Sequence, residues 1–217
     1  MKFRKYFDRE LQLRFPGHHE SLRRDLESRY RAILPDVSFA RSSPNPVDRR
    51  LDFSAYFLAT ILTLEARGED FASIRNVCLA IVREYVRPKS PWQRWLRRVP
   101  VTLIRTPLRR ILVRILRAKI QKKGHPDGFL VHIVTGADET FGLGYGFNVV
   151  ECGICKLFQK HGAARYTAIL CDVDELTSGF AGLDLVRSGT IARGAPVCDF
   201  RFRIQNASGP AARTMST

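Results

Sequence analysis

Acidic side chains are missing from one long stretch of this chain. Between Tyr85 and Pro126 there is no Asp or Glu, yet the stretch holds thirteen Lys and Arg. The whole chain carries a formal charge of +15, so its basicity belongs to this one segment. A basic chain invites a nucleic-acid reading, but this run has no interleaved aromatics beyond Trp92 and Trp95 and no known module pattern, which places nucleic acid last among partners. Long apolar runs are also lacking, and none approaches the ~20 residues that cross a bilayer. The opening "MKFRKYFDRELQLRF" is charged throughout, without the apolar centre of a secretory leader. Cysteine is sparse and odd in number, five in 217 residues, which argues against a disulfide framework. Reduced thiols and a cytoplasmic location are expected, or a peripheral place at a membrane. There is no Gly-rich phosphate loop, no Gly-x-Ser-x-Gly and no His-Glu-x-x-His.

Apolar content of 45% and aromatic content of 10% suffice for a buried core. The N-terminal half reads as helical. In "GHHESLRRDLESRYRAIL", Leu22, Leu26, Tyr30 and Ile33 recur at helical spacing up to Pro35. "RSSPNPVDRR" reads as a loop. "LDFSAYFLATILTLEARG" reads as an apolar helix closed by Gly68. Asp70 then caps a helix with Ile74, Val77, Cys78, Ile81, Val82 and Tyr85 as its buried stripe, Cys78 being a packing residue.

Residues 92–123 form a basic amphipathic helix in this reading. Leu108, Ile111, Leu112, Ile115, Leu116 and Ile120 supply its apolar face. One interpretation packs that face on the domain and leaves a solvated cationic back. The other docks it on an acidic membrane or protein surface.

After "GHPDG" the pattern changes to β-β-α-α-β-β. The expected class is therefore α+β: a helical region over 1–125, an antiparallel sheet covered by helices over 126–205, and a disordered tail from 206 to 217. Cys152 falls where a strand turns into a helix. Orphan amides and the helix dipole favour a thiolate there. Cys155 lies one turn on, and both could equally be small residues at a tight contact. Cys171 and Asp174 share a helix face, while Asp172 and Glu175 read as an exposed acidic edge. On the last strand, Cys198, Phe200, Phe202 and Ile204 face the helices. Alternation on the preceding strand turns Arg187 inward, where it would meet either a substrate carboxylate or Asp174. His132 reads as a satisfied core histidine and His161 as a helix C-terminal residue. The spacing Cys-x2-Cys-x15-Cys-x26-Cys lacks a second knuckle, so no cofactor is assigned, although a metal ion is an open alternative.

The stretch Glu151 to Phe202 resembles the L-2-amino-thiazoline-4-carboxylate hydrolase family. The matching positions are Cys152, Phe158 and Gly162; Cys171 and Asp174; Arg187 and Thr190; Gly194; and Cys198, Asp199, Phe200 and Arg201. The resemblance implies ring-opening hydrolysis of a cyclic isothiourea acid to an N-carbamoyl amino acid thiol. On that basis Cys152 or Cys171 is the nucleophile and Asp174 the acid/base. Arg187 clamps the carboxylate, with Cys198 and Thr190 lining the pocket. A metal-bound water held by the same thiols is a second hydrolytic design. The competing class is a non-catalytic ligand- or partner-binding module whose working surface is the basic helix. An enzyme predicts a cavity among Cys171, Asp174, Cys198 and Arg187. A module predicts a filled core there and an exposed, apolar-edged basic helix.

Overall fold

The computed structural model describes residues 3–104, 106, 108–122 and 124–205, with Arg97 by its backbone alone. The expected tail over 206–217 lies outside the described residues. Helices come first: α1 (Arg4–Arg14), α2 (His19–Ile33), α3 (Arg50–Ala66), α4 (Phe71–Val86), α5 (Pro91–Ile104) and α6 (Arg109–Ile120). Then follow β1 (Leu130–Val134), β2 (Gly146–Glu151), α7 (Gly153–Lys160), α8 (Thr167–Phe180), β3 (Leu183–Val186) and β4 (Cys198–Ile204). The class is α+β, with the expected ββααββ order.

The helical half is organised by α3. Between Leu51 and Leu64 its side chains are mostly apolar, and it is buried on nearly every side. Ser54, Thr60 and Thr63 are its buried polar residues, and each hydroxyl donates to a carbonyl one turn back, at 3.0, 2.8 and 2.7 Å. Gly68, at φ +85°, ends the helix as the sequence indicates, because a left-handed residue there carries no Cβ penalty. The Asp70 carboxylate accepts from Ser73 N at 2.7 Å and starts α4. All four apolar positions read in α2 are buried. Pro35 ends α2 but the chain continues as a 3-10 helix over Leu34–Arg41. Tyr85 departs from its expected place in the α4 stripe. It is 38% exposed and stacks on Phe53, while Val86 takes the core position.

The stretch read as a plain loop, "RSSPNPVDRR", contains a buried joint. Asn45 and Asp48 are fully buried. Asp48 accepts from Phe129 N at 2.8 Å and from the Ser43 hydroxyl, and Asn45 Nδ2 donates to Phe129 O at 2.9 Å. The start of α3 is thus tied to the chain entering β1.

The sheet is antiparallel throughout, in the order β1-β2-β4-β3. Val131, Ile133, Val149, Cys198, Phe200 and Phe202 form its buried face. α8 packs on β3 and α4, α7 on α3, and α6 on β1. Ile204, expected on the inner face, is exposed at the end of β4. His132 is likewise exposed, on the outer face of β1, and is not a core histidine.

The basic stretch is two helices rather than one. α5 ends at Ile104 and α6 starts at Arg109, and the sequence carries Pro107 between them. The expected apolar face is only partly used. Val113, Leu116 and Ile120 pack inward, while Leu108, Ile111, Leu112 and Ile115 stand in solvent.

Candidate active site

β2 runs out at Glu151, Cys152 occupies the N-cap in extended conformation, and α7 begins at Gly153. Only glycine fits at that first position, since a Cβ there would sit 2.9 Å from Asp127 O. The Cys152 sulfur therefore lies against the open amides of a helix start. The Cys155 thiol and the N–H groups of Ile154 and Cys155 face it without closing to a full hydrogen bond. Together they outweigh burial and hold the Cys152 thiol down at about 7. Cys155 is pushed far up by the same contact and by burial.

α8 brings Cys171 and Asp174 to the same region. Burial and the Asp174 charge push the Cys171 thiol up to about 11, with Arg187 and the Thr190 hydroxyl opposing. Asp174 is held by two guanidinium groups. Arg50 Nη2, from the first turn of α3, donates to its Oδ1 at 2.7 Å. Arg187 Nη1 stands 3.6 Å from Oδ2, beyond a good hydrogen bond. The Arg187 side chain is only 6% exposed. Its Nη2 donates to Cys171 O at 3.2 Å, and its guanidinium lies 5.2 Å from the Phe200 ring centre. Two buried polar atoms here lack a hydrogen-bond partner of good geometry: Arg187 Nη1, and Thr190 Oγ1, which faces the Cys171 sulfur without closing to a full bond. Arg50 is also within electrostatic reach of the Cys152 and Cys171 sulfurs.

β4 completes the cluster. Cys198 is buried, and its sulfur accepts from Ile191 N at 3.2 Å. Burial pushes its thiol up. Its electrostatic neighbours include Cys152, Arg187 and Asp174. The next residue, Asp199, is on the outer side and accepts from the Ser188 and Gly189 amides, both at 3.0 Å, and from the Ser188 hydroxyl. Against the cost of burial, those donors hold its carboxyl below the usual range. This clamp fixes the loop that carries Arg187 and Thr190.

Cys152, Cys171, Asp174, Arg187, Thr190 and Cys198 therefore share one neighbourhood beneath the sheet. Arg187 is inward as expected, although β3 ends one residue before it and strand alternation is not what orients it. Asp172 is not part of an exposed edge: Arg75 holds it at 2.7 Å and Arg193 at 2.9 Å. Glu175 is exposed, 3.7 Å from Arg187. His161 ends α7 and pairs with Asp36 at 2.9 Å. Arg50 was missed in the sequence, and Asp199 was named there only as a position of the family pattern, without a role. A cation in the first turn of an apolar helix, where the dipole opposes it, was the available signal for Arg50.

Among the described residues no three His, Cys, Asp or Glu side chains are grouped as a metal site requires. The more prominent clefts lie elsewhere, one of about 730 Å³ between α1 and α2 and two, of about 560 and 380 Å³, against α6. None of these three, nor a small recess of about 20 Å³ between Leu51, Gly153 and Lys156, is lined by Cys171, Asp174, Arg187 or Cys198, so the cavity expected of an enzyme is not among them.

Residues 105–202 match the family model of L-2-amino-thiazoline-4-carboxylic acid hydrolase. The resemblance read from Glu151–Phe202 is borne out. The match reaches further upstream than the quoted motifs and takes in α6, β1 and β2, but not α5. All six candidate residues fall within the hydrolase-family segment, and Arg50 does not. No curated protein and no solved structure matches the chain.

Proposed function

We propose that this protein hydrolyses a small cyclic amidine or isothiourea acid of the 2-amino-thiazoline-4-carboxylate type. The family is named for that hydrolase. The observation that carries the reading is geometric: the Cys152 sulfur sits at a helix start within electrostatic reach of Asp174, and Asp174 in turn faces a buried Arg187 with one unpartnered donor. The electrophile in such a substrate is the carbon bonded to the ring sulfur, the ring nitrogen and the amino group. Cys152 is the nucleophile and Cys171 is not, because only the former is ionised to a useful degree near neutrality.

The Cys152 thiolate adds to that carbon and forms an S–C bond. The ring C–S bond then breaks, and the ring sulfur leaves as a thiolate. The product stays attached to Cys152 as an isothiourea. A water next adds to the same carbon and gives a proton to Asp174, which passes it to the ring-opened thiolate. The bond to Cys152 breaks and regenerates the thiolate. The water oxygen ends as the urea carbonyl, and its hydrogens end on the ring-opened sulfur and nitrogen. Arg187 Nη1 and Thr190 Oγ1 receive the substrate carboxylate, which supplies the acceptors they lack.

The test is thiol release from 2-amino-thiazoline-4-carboxylate by the purified chain. Cys152→Ala should lower turnover by several orders of magnitude. Cys171→Ala and Cys198→Ala should act mainly through substrate binding. Full turnover in all three variants would end the nucleophile reading, and loss on chelation alone would favour the metal-bound water. The binding-module reading has an observation of its own, the exposed surface of α5 and α6, and that surface is compatible with an enzyme.

A further inference from the structure

The apolar stripes of α5 and α6 turn away from the core. In α5, Trp92, Trp95 and Leu96 occupy one face by their i, i+3, i+4 spacing and are exposed, Trp92 by 64%. The residues of α5 that touch the core, Val101 and Ile104, lie on the other side. In α6, Leu108, Ile111, Leu112 and Ile115 form an outward stripe at i, i+3, i+4, i+7, with Ile111 57% exposed. The inward stripe of the same helix, Val113, Leu116 and Ile120, is already used against the body of the protein. Two adjoining helices thus present seven large apolar side chains to water, more than scattered surface apolars would account for. Trp92 and Trp95 stack on each other, their ring centres 4.7 Å apart.

Charge decides what covers this face. No acid occurs between Tyr85 and Pro126, and a second copy meeting this segment through its own would set like charges against each other. Among the described residues, Arg94, Arg98, Arg110, Arg114, Lys119 and Lys122 make no ion pair. The covering partner is therefore anionic and apolar together. The helices have 14 and 12 residues, and no described helix is long and apolar enough to cross a bilayer. An apolar stripe with tryptophan on one side and Lys and Arg on the other suits a helix lying in the headgroup layer. We propose that α5 and α6 dock this protein on an anionic lipid bilayer, with the Trp92, Trp95, Ile111 and Ile115 side chains inserted at the acyl boundary and the cations facing lipid phosphates. The inference is independent of the hydrolase reading.

Vesicles of phosphatidylcholine alone, or mixed with phosphatidylglycerol, test it with the full chain. Co-sedimentation with the mixed vesicles is expected, weakening as salt rises, with little on the neutral ones. Trp92 and Trp95 are the only tryptophans, so their emission should shift to the blue on binding. Ile111→Gln with Ile115→Gln should weaken binding by about tenfold or more with unchanged far-UV circular dichroism. Lys119→Glu with Lys122→Glu should also weaken it while leaving the apolar stripe intact. The inference is overturned if anionic vesicles do not bind, or if they bind with no tryptophan shift and no response to the Ile111 and Ile115 pair. It is equally overturned if the surface proves to join two copies, seen as a dimer that the same pair of substitutions dissociates.

Discussion

Cys152 and Cys171 lie in one neighbourhood and behave oppositely. A helix start and a neighbouring thiol stabilise the Cys152 anion, whereas burial and a carboxylate destabilise that of Cys171. With iodoacetamide and peptide mapping on the folded protein, Cys152 should react first, its rate rising through a pH of about 7. Cys78, fully buried, should react only after unfolding. Cys155→Ala removes the largest stabiliser of the anion, so the midpoint should move to higher pH. A profile led by Cys171 would contradict this. Cys152 was legible because strand-to-helix junctions show in local sequence: an apolar run, then a small residue, then a helical pattern. Arg50 was not, because its partner is 124 positions away and periodicity does not say which distant carboxylate a cation will meet. Arg187 was read inward on strand alternation, but its burial follows from the Asp199 clamp on the loop after the strand.

Elements were most legible where one period runs long. α2, α3 and α4 appear close to their expected limits because each carries several turns of consistent spacing and a recognisable stop or cap. Asp70→Ala should lower stability by about 1 kcal/mol in urea unfolding, the usual loss on removing such a cap. β2 and β3 are short, at six and four residues. Phe141, Gly142 and Gly144 all take positive φ, so the apolar stretch before β2 turns instead of extending the strand. The Asn45–Asp48 joint was hidden by composition, since Pro, Ser and Asn mark loops whether exposed or buried. Asp48→Leu would strand the Phe129 amide, at a cost of about 1–3 kcal/mol. Gly128→Ala would set a Cβ 2.6 Å from the same carboxylate and should destabilise as well. Wild-type melting temperatures for both variants would refute the joint.

At the scale of the whole molecule, buried residues from Phe7 to Phe202 form one connected cluster. α4 touches α8 and α3 touches α7, so helices and sheet share that core. Chemical unfolding should follow a single transition, with far-UV circular dichroism and the exposure of Cys78 coinciding. Two separated transitions would show that residues 1–125 and 126–205 are independent. Tryptophan emission is a poor reporter here, because Trp92 and Trp95 are already in solvent.

One contact in the site reaches across this arrangement: Arg50, on α3, grips Asp174 from outside the family-matched segment. An excised piece spanning 105–202 would keep every cysteine near the sheet and still lose a counter-charge for its carboxylate. Motif recognition and chemical completeness therefore have different borders in this polypeptide, and transplanting the former would not carry over the latter.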